Sequence, residues 1–489
     1  MIGRLLMKVA AATSMIAPMA AGSWAAPGGT GVRVPPHERI VLDNGLTLII
    51  VPRRDVPLVA FNAVLRGGAS ADMHGKPGVA SLVAGLLEKG AGSRDAFEFA
   101  DAVEGVGGSF GAAAGTEAII VRGQFLARDQ ELMLELLSDA LLSPRLDPEE
   151  LDVLRQRQVE LIKAAKDSDP SELIGMYGRA FLFGDHPYGR PVIGSERSLG
   201  TVTHRDVLRY YGEHFGADRL TLIVSGDVDS SWLKRAVIDA FGSWGEARRP
   251  LALLPAPLRA RERQVLLVDS PGSAQTYFWI GAVGVGRKYP DRAALELVNT
   301  LYGGRFTSIL NTELRVKSGL SYGARSGFMR GSVAGEFSIR SFAQTEETTK
   351  AIELALATLR RLRHDGVTGE MLDSARAYVT GQYPMSFETA ADWAAELGEV
   401  ELYRLGTTYI DDYGPALHRV TLQDARRVID GAFPAADRVA LVVIGDAARI
   451  RSELTAYGAV TEMSLIEPVF DSRARHVVEP AAVLQPIDA

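Results

Sequence analysis

The feature that most constrains this chain is a passage that occurs twice. "DVLRYYGEHFGADRLTLIVSGDVD", ending at Asp229, and "DARRVIDGAFPAADRVALVVIGDAA", ending at Ala448, carry the same order of signals. Each reads as an amphipathic helix, a polar Ala-Asp-Arg turn, a buried apolar strand and a Gly-Asp stop. Asp218 matches Asp437, and Val202-Thr203 matches Val420-Thr421. The copies stand about 220 residues apart, so the 489-residue chain is predicted to be two homologous halves.

The opening of each half fits this division. The first begins "ERIVLDNGLTLIIVPRRDVPLVAFNAVLRGG", with Asn44-Gly45 between alternating apolar runs, a strong hairpin signal. The second begins "RERQVLLVDSPGSAQTYFWIGAVGVG", again strand, polar turn, strand. Each then runs into a helix, over 77–89 and about 290–302, with longer helices predicted over 148–166 and 346–364. Strands and helices do not alternate strictly. The expected class is therefore α+β, each half a mainly antiparallel sheet with helices packed on one face. Pro250, Pro255 and Pro257 mark an extended linker over 246–262. The halves are assigned to 33–245 and 263–463, and 464–489 reads as a loose tail.

"MIGRLLMKVAAATSMIAPMAAGSWAAP" has Arg4 and Lys8, an uncharged apolar core, then the small-x-small pattern at Ser23 and Ala25. It reads as a secretory signal peptide over 1–26, so the mature chain is expected to be periplasmic or secreted. No later segment reaches membrane-spanning length. A net charge of −7 argues against a nucleic-acid partner. The absence of cysteine excludes disulfides, thiolate metal sites and a cysteine nucleophile.

Most catalytic motifs fail on context. "GGSFG" at 107–111 fits the serine-hydrolase elbow, which needs strand, turn, helix, whereas helix precedes and strand follows here. No Walker-type loop occurs. None of the eight histidines has another three to five residues away, so no local pair can clamp zinc on one helix.

Taken together, "RGGAS", "GKPGVASLVAGLLEKGAGSR", "HPYGRPVIG" and "ADRLTLIVSGD" resemble the insulinase and pitrilysin-type peptidases, which include the mitochondrial processing peptidase. The resemblance covers nearly the whole chain and implies that two similar halves form half of a clamshell around a peptide-holding chamber. Catalytic members carry H-x-x-E-H on the first helix of half one, where two histidines bind zinc and the glutamate activates water. "GVASLVAGLLEKGA" aligns with that helix without a gap and puts Ser81, Ala84 and Gly85 at the His, Glu and His positions. The third ligand position falls at Leu161 or Ile162, with Glu160 one step away. The resemblance thus implies no metal in this chain. Ser81 as a replacement nucleophile has no base near it in sequence.

The family's second signature, L-R-x-x-x-G-L-x-Y, is met in half two by "LRVKSGLSY", placing Arg315 and Tyr322 at its arginine and tyrosine. From position alone there are two readings. Arg315 offsets a helix dipole and Tyr322 packs in the core, or a guanidinium at a helix end and a phenol on the next strand converge on a substrate carbonyl. The resemblance favours the second. Gly303 and Gly304 in "YGGRF" resemble the glycine-rich loop of non-catalytic subunits, or serve as a plain turn.

What the resemblance implies is a zinc-free subunit of an exported heterodimeric metallopeptidase, inactive alone. It would offer Arg315, Tyr322, Gly303 and Gly304 to an unfolded peptide, with zinc in a homologous H-x-x-E-H partner. The competing expectation is a non-enzymatic peptide-binding or scaffold protein of chaperone type.

Overall fold

The computed structural model describes residues 31–260, 262–471 and the backbone of 477–478. The predicted signal segment and most of the chain after Asp471 lie outside the described residues. Half one runs β1 (Glu38–Val41), β2 (Thr47–Pro52), β3 (Leu58–Arg66), α1 (Val79–Leu86), α2 (Ala96–Glu104), β4 (Ser109–Ala114), β5 (Ala118–Leu126), α3 (Gln130–Leu142), α4 (Pro148–Ser168), α5 (Ile174–Phe183), α6 (Glu196–Leu199), α7 (His204–His214), β6 (Leu220–Gly226) and α8 (Ser230–Phe241). Half two runs β7 (Gln264–Asp269), β8 (Gln275–Gly284), α9 (Arg292–Asn299), α10 (Ile309–Asn311), β9 (Ala324–Arg330), β10 (Gly335–Gln344), α11 (Thr348–Asp365), α12 (Gly369–Gln382) and α13 (Ala390–Leu402). It closes with α14 (Thr408–Asp411), α15 (Tyr413–Arg419), α16 (Leu422–Ala432), β11 (Ala440–Gly445), α17 (Ala447–Leu454), β12 (Val460–Ser464) and the two-residue β13 (Val477–Val478). Residues 251–260 between the halves have no regular structure.

The duplication is visible in the hydrogen bonds. Thr203 and Thr421 each cap a helix by accepting the N–H three residues on, from Asp206 and Asp424, whose carboxylates bond back. This is a capping box in both copies. The strands that follow take equivalent places, β6 parallel to β2 and β11 parallel to β7. The sheets are ordered β1-β2-β6-β3-β5-β4 and β13-β12-β7-β11-β8-β10-β9, with most neighbours antiparallel.

One face of each sheet carries helices of its own half, as expected for the α+β class. Along β2, Leu48 and Ile50 point to that core, while Ile49 and Val51 point the other way, as the two-residue period of a strand requires. The second face is covered by a helix lent from the opposite half. Helix α13 lies on β3 and β6, and α5 lies on β8 and β11. A glycine allows each close approach: a Cβ at Gly398 would stand 2.2 Å from Asn62 Nδ2, and one at Gly178 2.6 Å from the Trp279 ring. The Asn62 amide, buried there, donates to Ala394 O at 3.0 Å. Fully burying side chains of the size of Leu397 or Tyr177 is worth about 1.5–3 kcal/mol each, so this exchange welds the halves.

Residues 465–471, placed in the loose tail from the sequence, are packed. Leu465 and Phe470 are buried in the core shared with half one. Phe470 packs edge-on against Tyr177 at 4.9 Å, and the Lys166 ammonium bonds both Glu467 O and the Glu196 carboxylate at 2.6 Å. The apolar side chains of "MSLIEPVF" find their core in the other half, which no local pattern announces. Among the described residues, no helix is long and apolar enough to cross a membrane.

Candidate functional site

The first part of the site is helix α1. Its N-terminus follows Gly78, at φ 103°, and its first amides are capped from a distance: the Asp72 carboxylate accepts from Gly78 N and Ala80 N, both at 2.8 Å. Burial pushes the Asp72 carboxyl up to about 7, against the pull of these two donors and of Arg190. Val79, Leu82, Val83 and Leu86 face the core. Of the three positions vacated relative to a metal helix, Ala84 is buried, and Ser81 and Gly85 lie half-buried against α4.

The α4 side chains that meet them are Leu154 and Gln158. A Cβ on Gly85 would lie 3.3 Å from Leu154 Cδ1. The Gln158 amide donates to Ser81 Oγ at 3.3 Å and also to Ile193 O. The α4 side chain that bonds Ser81 is thus Gln158. Ile162 is buried one turn on, Leu161 is 61% exposed, and Glu160 points outward to pair with Lys163. Leu154, Gln158 and Ile162 share the inner stripe of α4, because side chains on a helix repeat at 3.6 residues. The Ser81 hydroxyl is bonded by an amide, which cannot act as a base. Among the described residues, no group of three or more His, Asp or Glu side chains gathers as a metal ion would need. Ser109 of "GGSFG" begins β4, where its hydroxyl accepts from Gln124 N, with helix before and strand after.

The second part lies in half two and brings all four predicted binding residues to one cleft of about 750 Å³. Helix α9 runs on into a π-turn over Thr300–Gly304, and α10 into another over Thr312–Lys317. Such wide turns disturb regular helix hydrogen bonding and recur at functional sites. The first presents Gly303 and Gly304, the second Arg315. The helix ends at Ser318, with Gly319 at φ 67°. Gly303 is buried: a Cβ there would meet Ser326 Oγ at 2.4 Å and Ser326 N at 2.5 Å, so β9 presses directly on the loop. The buried Asn311 ties the two segments together, donating to Phe306 O at 2.7 Å and accepting from Ala324 N at 3.1 Å.

Tyr322 is not on the strand, as the spacing had suggested, but in the loop two residues before β9. Ser321 Oγ accepts from Gly323 N and donates to Gly323 O, bending the backbone there, and Ser341 secures the bend from β10. The bend turns the phenol outward, and Tyr322 is 73% exposed. The Arg315 guanidinium stacks over its ring at 4.2 Å and over Phe306 at 4.9 Å. This excludes core packing for Tyr322. Sequence reasoning missed Phe306 as the second wall of this stack, and Arg305, Arg325 and Arg340 as further lining. Phe306 directly follows the "GGR" of the glycine-rich loop, an exposed aromatic where a turn needs none. The arginines offered no signal, because β10 brings Arg340 back from far along the chain.

Two family models match this chain. "Insulinase (Peptidase family M16)" matches residues 55–196, which include α1 and α4, and "Peptidase M16 inactive domain" matches 201–379, which include the Arg315–Tyr322 cleft. The chain belongs to this family. An uncharacterized zinc protease of Mycobacterium bovis is 28% identical to this M16 chain over 352 residues, 72% of this chain and 80% of that protein. One of Streptomyces coelicolor is 26% identical over 395 residues, 80% and 86%. Among solved structures, a peptidase M16 inactive domain from Pseudomonas fluorescens superposes with a TM-score of 0.78 at 23% identity, covering 84% of this chain and 98% of that one. A protease from Helicobacter pylori gives 0.77 at 20%, covering 84% and 99%. At these identities the structural likeness is one of fold. The description "inactive domain" attaches to 201–379, whereas the model matching half one is that of the peptidase family itself.

Proposed function

We propose that this M16 chain is a zinc-free subunit of an exported, heterodimeric metallopeptidase. It closes half of the chamber and binds the peptide while a homologous partner bearing H-x-x-E-H supplies the zinc. The observation that carries this reading is an asymmetry. Where the metal would sit, Leu154 and Gln158 have filled in against small residues. Where a peptide would be held, Arg315 and Tyr322 stand stacked together on one cleft. A guanidinium and a phenol are both donors, suited to a peptide carbonyl or to the oxyanion that develops from it. Stacking on Phe306 and Tyr322 limits the rotamers of Arg315, which lowers the entropy lost on binding.

The test is zinc content and peptidase activity of the mature chain alone and mixed with a zinc-bearing homologue. The expected result is no stoichiometric zinc and no turnover alone, turnover in the mixture, and a loss of about 10- to 100-fold in kcat/KM for Arg315→Ala or Tyr322→Ala. Robust cleavage by the chain alone would refute the reading. No turnover in any mixture with a zinc-bearing homologue, together with retained peptide binding, would make the chain a scaffold or chaperone-type binder instead.

A further inference from the structure

The charge of the same cleft points to a substrate class. Four arginines line it, Arg305, Arg315, Arg325 and Arg340, and no Asp or Glu does, in a chain whose net charge is −7. Few of these cations are neutralised. Arg305 bonds only the carbonyl and hydroxyl of Ser374, and Arg315 stacks on aromatic faces. Arg340 alone has a carboxylate, that of Glu336 at 3.2 Å. Arg325 stands directly opposite Arg340 in the β9–β10 register. Like charges so placed destabilise a strand pair, and an anion between them removes the penalty.

The nearby acids are otherwise occupied. Glu313, in the same π-turn as Arg315, pairs with Lys317 and Arg361 at 2.9 Å. Asp169, close enough to Tyr277 to help raise its phenol, caps Ser171 N at 3.1 Å. Aromatic surface lies between the cations, from Tyr277, Phe306, Tyr322, Phe342 and Tyr378.

We infer that this cleft selects peptide segments carrying carboxylates, as acidic side chains or as a free C-terminus, beside an aromatic or aliphatic residue. Arg325 and Arg305 are then specificity residues, and Arg315 and Tyr322 hold the backbone. This rests on the reading of the cleft as a peptide site, and the experiment separates the two.

Three labelled peptides of about 10 residues, each with one central Phe, are titrated into the mature chain at low salt and followed by fluorescence anisotropy. One has internal glutamates and an amidated end, one has glutamines and a free C-terminal carboxylate, and one has lysines and an amidated end. At least one carboxylate peptide is expected to bind about 10-fold or more tighter than the lysine peptide and to weaken as salt rises. Which of the two binds tighter identifies the source of the carboxylate. Arg325→Glu is expected to cut that affinity about 10-fold with a thermal melt that is not lowered, since the new carboxylate faces Arg340, and Arg305→Gln is expected to cut it less. A lysine peptide binding as tightly as both others, or carboxylate binding indifferent to Arg325→Glu, overturns the charge inference. If all three bind alike and all weaken in Tyr322→Ala, the peptide site stands and only the charge preference falls. If none binds, or none responds to Tyr322→Ala, the peptide-site reading falls with it.

Discussion

Helix α1 with α4, and the loop pair around Arg315, are two helix-borne sites in two copies of one unit, and they have gone opposite ways. At α1 the small residues are met by Leu154 and Gln158, and the Ser81 hydroxyl has a partner. At the cleft, arginines sit beside one another and an aromatic ring stands in solvent. A surface relieved of chemistry drifts toward ordinary packing, because polar groups left without partners are costly. A surface that keeps like charges together and rings exposed does so against stability, which is what the proposed peptide site would require.

Two glycines sharpen that comparison. The largest effect is expected at Gly303→Ala, since the new methyl meets the backbone of β9 at 2.5 Å and backbone cannot yield. Urea unfolding should report a loss of about 3 kcal/mol, and an unchanged midpoint would deny the close approach on which the cleft is built. Asn311→Ala comes next. It leaves Phe306 O and Ala324 N without their amide partner and should cost about 1.5 kcal/mol. It should also weaken peptide binding, because it releases Phe306 from β9. Stability lost with binding intact would make Asn311 a purely structural tie.

A smaller effect tests how tightly half one is closed. His214 is buried against Tyr210 with its Nδ1 unpartnered, and burial first, then Arg219, holds its pKa down at about 4. The unfolded chain takes up that proton near pH 6.5 and the folded chain near 4. This contribution to stability is therefore complete above pH 6.5 and lost as pH falls toward 4. Thermal melts across that window should show a shallower acid slope for His214→Gln than for the native chain. Parallel slopes would contradict a neutral, buried imidazole.

The smallest change is expected at Gly85→Ala. The added methyl meets only the mobile end of Leu154 at 3.3 Å, while alanine favours the helix by about 1 kcal/mol. The net should lie between no change and a stabilisation of that size. A destabilisation comparable to Gly303→Ala would mean that α1 is still shaped for something other than packing.

Much of this was legible in the residues. The two helix-turn-strand passages foretold equivalent places in two sheets, and the threonine caps of α7 and α16 confirm the register. Ser81, Ala84 and Gly85 could be read directly as the residues standing at the H-x-x-E-H positions. Gly303, Gly304, Arg315 and Tyr322 were named together, and they line one cleft. Less legible was anything set by a partner distant in sequence. Gln158 meets Ser81 because α1 and α4 pack together at that turn. Tyr322 leaves the strand because Ser321 and Ser341 bend its loop.

By itself, then, the sequence determined the duplication, the α+β class and the absence of H-x-x-E-H from the first helix, since these depend on residue type and local period. The tertiary structure decided the rest. It lends α5 and α13 across the halves and returns Phe470 to the first core. It also carries Arg340 from β10 to face Arg325 and Arg315. Each of these depends on which surfaces remain to be buried once the local elements exist. That is a property of the assembled chain, and no stretch of it carries that information alone.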